Sequence, residues 1–201
     1  MTTPTRPLRV VAVSGSLTDP SRTTALVEAI SQAFGRALPI EPHLITLNSL
    51  GPSLAGALTR KQLTPEAELE LERIETADLL IVATPVYRAS FTGLFKHLFD
   101  FVDQYALVDT PVLLAATGGS DRHALIIEHQ LRPLFGFFQS LALPVGVYAH
   151  DSDFADYRIV DDALLERIDK AVARALPLVR SSLVERESIE RALAGDEVEV
   201  D

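Results

Sequence analysis

The chain has 201 residues, 47% of them hydrophobic, with a formal net charge of −10 at pH 7 and no cysteine. That length and hydrophobicity fit one domain with a sizeable core, and the lack of cysteine excludes disulfides, thiolate catalysis and Cys-ligated metal sites. The acidic balance argues against nucleic acid as a partner, because such binding rests on Lys and Arg neutralising phosphates.

The opening residues, MTTPTRPLRV, hold no apolar core of signal-peptide length, and no run anywhere reaches the roughly 18 apolar residues that span a bilayer. The expectation is a cytoplasmic protein with no membrane partner. Residues 8–13 read as a buried strand that enters the turn SGSLTDPSRTT and then an amphipathic helix carrying Leu26, Val27, Ile30 and Phe34. A helix start presents unsatisfied N–H groups and the positive end of the helix dipole. Here Ser14, Ser16, Ser21, Thr23 and Thr24 add donors and Arg22 adds a cation. An anionic ligand is expected. Gly15 is the one glycine of the turn and no lysine lies in it, so neither the dinucleotide nor the triphosphate loop pattern is present. The hydroxyl load suits a terminal monophosphate, as at a flavodoxin-type FMN site. An ordinary helix cap is the alternative reading.

Further short apolar runs at 44–47, 79–83, 112–116 and 145–149 read as strands covered on both faces. Segment 49–63 lacks clear periodicity and is expected as a loop flanking a crevice. Thr64-Pro65-Glu66 starts a helix, with Thr as cap and Pro at the first helical position. Helical spacing then links Phe91, Leu94, Phe95, Leu98 and Phe99, and later Leu125, Leu131, Leu134, Phe135 and Phe138, before a last helix through Leu164, Ile168 and Val172. The Phe-rich helices could serve the core or an oligomer interface. The acidic end GDEVEVD is expected to fray. Strict alternation of strand and helix predicts an α/β three-layer sandwich, flavodoxin-like, with a five-stranded parallel sheet of order 2-1-3-4-5. The domain is placed at 1–183, with a C-terminal helical or frayed tail at 184–201.

Ligands in such sheets bind beyond the C-terminal strand ends. Three segments follow such ends: SGSLTDPSRTT, TPVYRASFTG and TGGSDRH. On Gly15-Ser16 with Ser21-Arg22-Thr23, on Ala83-Thr84-Pro85-Val86-Tyr87 continuing to Gly93, Leu94, Lys96 and Asp100, and on Ala116-Thr117-Gly118-Gly119, the chain resembles the NAD(P)H-dependent FMN reductase family, and within it the reductases of two-component sulfonate-utilising systems. The resemblance covers roughly 9–176. It implies that Ser16, Ser21, Arg22 and Thr23 hold the FMN phosphate, that Pro85, Val86, Tyr87 and Arg88 pass along the flavin ring, and that Thr117, Gly118, Gly119 and Ser120 border its other edge. Hydride would pass from the nicotinamide of NAD(P)H to flavin N5 with no catalytic side chain. It also implies a homodimer or homotetramer and an FMNH2-dependent monooxygenase, such as a sulfonate monooxygenase, as recipient of the reduced flavin. An FMN-retaining quinone or azo reductase, a flavodoxin-like electron carrier and a noncatalytic binding module remain the alternatives.

The pattern departs in two places. Thr18 stands where several relatives carry Arg, which leaves the phosphate to Arg22. His129 stands where alkanesulfonate-type reductases place a Tyr associated with a helix bulge and a subunit interface near the flavin. A flavin needs main-chain donors, and the Gly118-Gly119 pair would let the backbone approach a flat ring. Lys96 and Asp100, at i and i+4, read as a surface ion pair. The histidines show no ligand spacing, so no metal is expected.

Overall fold

The computed structural model describes residues 6–196. Four strands, β1 (Leu8–Ser14), β2 (Ile40–Thr46), β3 (Leu79–Pro85) and β4 (Pro111–Gly118), form a parallel sheet with two short strands, β5 (Leu141–Ala142) and β6 (Val147–His150), which both pair with β4. The order is β2-β1-β3-β4-β5, that of a flavodoxin-like α/β fold. The run expected as the fifth strand at 145–149 is β6, and β5 is an additional short strand, so the sheet has six strands where five were expected. Pro144 lacks an N–H for the ladder, and Gly146 passes so near Leu114 that a Cβ there would lie 3.0 Å from its carbonyl oxygen.

Successive strand residues point to opposite faces, which sorts the core into two layers. Val11, Val13, Leu80, Val82, Leu114 and Ala116 face α2 (Leu47–Leu54), α3 (Pro65–Glu75), α4 (Gly93–Phe101) and α5 (Arg132–Phe137). Val10, Ala12, Leu79, Ile81, Leu113 and Ala115 face α1 (Arg22–Ala37) and α6 (Asp162–Asp196). Most of the phenylalanines belong to the first layer: Phe95, Phe99, Phe135 and Phe138 are buried, and Phe99 meets the Phe135 ring edge-on at 5.0 Å, whereas Phe137 is exposed.

The segment expected as a loop at 49–63 is largely ordered. Leu47, Leu50 and Leu54 are buried on one side of α2, and a 3₁₀ turn at Arg60–Gln62 follows. The helical spacing was present in the sequence, obscured by Gly51-Pro52. Arg60 ties this segment down through Glu68 and Glu75 of α3 and the Phe101 carbonyl of α4. The expected fourth helix divides as well, into a π-helical turn at Ile127–Leu131 and then α5. Lys96 and Asp100 form an exposed ion pair.

At the N-terminal rim of the sheet, Asp78 is buried and receives the side chains of Arg6 and Arg9 and the Arg9 backbone N–H. Burial pushes its carboxyl up, but these hydrogen bonds outweigh it and hold the group at about 2, against 3.8 ordinarily. Arg186 of α6 lies 3.9 Å from the same carboxylate and donates to the Ala77 carbonyl and the Thr110 hydroxyl. This helix continues from the one expected at Leu164, Ile168 and Val172 into the tail, where Gly195 and Asp196 are helical, and 197–201 lie outside the described residues. Among the described residues no helix is long and apolar enough to cross a membrane, and no group of three or more His, Cys, Asp or Glu could hold a metal.

Candidate active site

Strand register assembles the site. Ser14 pairs with Ala83, Thr84 with Ala116, Pro85 with Thr117, and Gly118 with His150. The strands therefore end on one level, and the segments after β1, β3, β4 and β6 emerge side by side. Gly15 starts the first of these and packs against the second, its N–H bonded to the Ala83 carbonyl at 2.7 Å. A Cβ at Gly15 would lie 3.0 Å from that oxygen and 3.2 Å from the Thr84 Cα, so only glycine permits the approach. Thr92 locks the same pair of segments: its hydroxyl donates to the Gly15 carbonyl and accepts the Phe95 N–H, capping α4.

Most hydroxyls of the first turn have protein partners. Ser21 caps α1 by accepting the Thr24 N–H, Ser14 bonds Thr24, Ser16 folds back on Thr18, and Thr23 bonds Thr117. The groups left facing a ligand are the first N–H groups of α1, which no intrahelical carbonyl can satisfy, and the Arg22 guanidinium. An anion at this point meets a helix end and one cation.

The second segment is a tight hairpin in which Tyr87 and Ser90 exchange backbone hydrogen bonds of 2.9 and 3.1 Å. Its central residues, Arg88 and Ala89, have φ of 51° and 68°, the geometry of a type I′ turn made without glycine. Ser90 then donates to Gln130 in the π-helical turn, so the bulge that contains His129 props the hairpin. In the third segment the Tyr148 hydroxyl donates to the Ser120 carbonyl at 2.8 Å. A Cβ at Gly118 would collide with that hydroxyl, and one at Gly119 would stand 3.1 Å from Asp151. Gly118 is therefore required first by the protein's own Tyr148, whereas at Gly119 the half-exposed Asp151 side chain has room to give way.

These segments enclose a cleft of about 280 Å³. Ser16, Ser21, Arg22, Thr23, Pro85, Val86, Tyr87, Thr117, Gly118 and Gly119 line it; Arg88 and Ser120 do not. Thr18, Pro20, Asp151 and Tyr157 complete the lining, and the sequence reading had not singled out the last two. Both follow β6, and applying the strand-end rule to the fifth strand would have found them. Arg22 Nη1 lies 3.4 Å from Asp151 Oδ1, and its guanidinium carbon is 5.8 Å from the Tyr157 ring centre.

The profile of the NADPH-dependent FMN reductase family matches residues 8–155. The chain belongs to that family. The reductase is 57% identical over 178 residues to an NADH-dependent FMN reductase, SfnF, of Pseudomonas fluorescens, covering 89% of this chain and 95% of the relative. It is 54% identical over 174 residues to an FMN reductase (NADPH) of Pseudomonas aeruginosa, covering 87% and 94%. Among solved structures, an oxidoreductase from Corynebacterium diphtheriae superposes with a TM-score of 0.77 at 34% identity, covering 88% of this chain and 99% of that one. The apo form of the NADH:FMN oxidoreductase EmoB gives 0.73 at 29% identity, covering 86% and 88%. The enzyme is an NAD(P)H-dependent FMN oxidoreductase. Its cleft fits FMN on chemical grounds: an anion-attracting helix end with a cation at one side, and a glycine-bearing main-chain edge at the other.

Proposed function

We propose that the reductase binds FMN with its phosphate at the start of α1, near Ser16, Ser21, Arg22 and Thr23, and its ring between the Pro85–Arg88 segment and the Thr117–Ser120 segment. The observation that carries this reading is that all of these residues except Arg88 and Ser120 line one cleft at the C-terminal strand ends. When bound, FMN supplies the hydride-accepting chemistry at N5. The chain's part is to position. Hydrogen bonds from Thr92 to Gly15, between Thr23 and Thr117, and from Tyr148 to Ser120 hold the segments as one rigid cradle, and half-exposed Tyr87 stands at its open side. No side chain is assigned a proton transfer.

The reduced flavin leaves for an FMNH2-dependent monooxygenase of sulfonate metabolism. Support comes from relatives named SfnF and SfnE, one of the latter 58% identical over 172 residues. We place the reductase domain at 1–183, Leu183 being the last buried core residue of α6 among the described residues, and expect a cytoplasmic homodimer or homotetramer. The test is anaerobic NADH and NADPH oxidation at varied FMN, with flavin content measured before any is added. Saturable dependence on added FMN with release of FMNH2 is expected. Tight flavin with turnover only on a quinone or azo acceptor, or one-electron cycling without NAD(P)H oxidation, overturns the reading.

A further inference from the structure

We infer that Asp151 is a built-in competitor for the FMN phosphate: its carboxylate pairs with Arg22 and stands against the phosphate that Arg22 draws in, so that FMN is held weakly enough to depart after reduction. This rests on the reading that Arg22 faces the phosphate.

Charge is the first argument. Among the side chains lining the cleft, Arg22 is the one cation and Asp151 the one anion. A phosphomonoester dianion thus enters a cleft of zero net formal charge on a protein of net charge −10. A second cation at position 18 would tip the balance, and that position is Thr18.

Geometry is the second. The Asp151 carboxylate sits at the mouth of the first turn, with one oxygen 3.4 Å from the Arg22 guanidinium and the other facing Gly119. Both partners are half-exposed, at 44% and 47%, so the pair is weak and exchanges readily. Tyr157, six residues on, flanks the guanidinium from the same segment and keeps it near the carboxylate.

The third argument is that this carboxylate, unlike its neighbour's, is half-exposed rather than buried. Two residues away, Asp153 is buried and bonded to Arg167 and to the His150 N–H, a structural role. Among the described residues, the Asp151 carboxylate has Arg22 as its polar partner. An acid that contributes so little to stability, placed beside an anion site, acts on the anion.

The test is the dissociation constant of the enzyme for FMN and for riboflavin, which lacks the phosphate, in the wild type, Asp151→Asn, Arg22→Met and the double variant, with melting temperatures to verify folding. Asp151→Asn is expected to tighten FMN about three- to tenfold at low salt, less at high salt, and to leave riboflavin unchanged. The gain should shrink in the Arg22→Met background, where only direct repulsion of the phosphate remains to be relieved. Unchanged or weakened FMN binding in Asp151→Asn, while Arg22→Met still weakens FMN, overturns the competitor role and leaves the Arg22 reading intact. An Arg22→Met variant that binds FMN as the wild type does overturns that reading and the inference with it. Equal tightening of riboflavin overturns the inference alone, because the effect would not run through phosphate.

Discussion

The Thr23 and Thr117 hydroxyls lie 2.7 Å apart, both buried, and join the start of α1 to the end of β4. One donates and the other accepts, so each is satisfied only while both are present. Thr23→Val alone should cost about 1–3 kcal/mol by leaving the Thr117 hydroxyl unpaired, whereas the Thr23→Val/Thr117→Val double variant should recover most of that. Urea unfolding of the three variants measures it. On the proposed reading Thr23 offers FMN its N–H rather than its hydroxyl, so the double variant should bind FMN nearly as the wild type does.

Gly118→Ala should weaken FMN binding and lower the melting temperature, because its methyl group would collide with the Tyr148 hydroxyl. Tyr148→Phe alone loses one hydrogen bond to the Ser120 carbonyl, at about 1 kcal/mol. In the Gly118→Ala background it should instead restore part of the loss. A titration of FMN across the four proteins would reveal that sign reversal.

Asp78 governs acid stability. Its carboxyl sits at about 2 in the folded protein against 3.8 ordinarily. A depressed folded value gives stability that is present above pH ~4 and is lost as pH falls toward ~2, to a total of about 2 kcal/mol. Urea midpoints of the wild type should fall across that window. Asp78→Asn should be less stable at pH 7 and show a flatter fall.

Arg60→Ala should destabilise the protein by about 1–3 kcal/mol, since it removes the link from the 3₁₀ turn to Glu68, Glu75 and the Phe101 carbonyl. Its guanidinium is held above its ordinary range chiefly by the hydrogen bonds to Glu75 and then Glu68. Thermal unfolding would register the loss, and proteolysis should first cut near 58–63.

The central strands were legible because β1, β3 and β4 are almost wholly buried and so read as unbroken apolar runs. At the sheet edge that signal fails. β2 begins at Ile40, but Glu41 and Pro42 are exposed and hid its first half. α2 was missed for a different reason, as Gly51 and Pro52 read as punctuation inside a helix whose buried leucines were correctly spaced. The three loops of the cleft could be found from composition and order. Asp151 and Tyr157 carry no motif of their own; they come from the same strand-end rule applied after the fifth strand, whose end the pairing of Gly118 with His150 sets level with the others. The bulge at Ile127–Leu131 was signalled only by the resemblance at His129, because the apolar residues on either side of it read as one helix.

The Asp78 cluster and the candidate cleft lie at opposite ends of the same parallel strands, separated by the length of β1, seven residues or roughly 20 Å. Groups so distant, without shared partners, contribute additively. One rim of this sheet can therefore be altered to make the enzyme hardier in acid or heat, and the other to change how long it keeps its flavin, with neither alteration constraining the other.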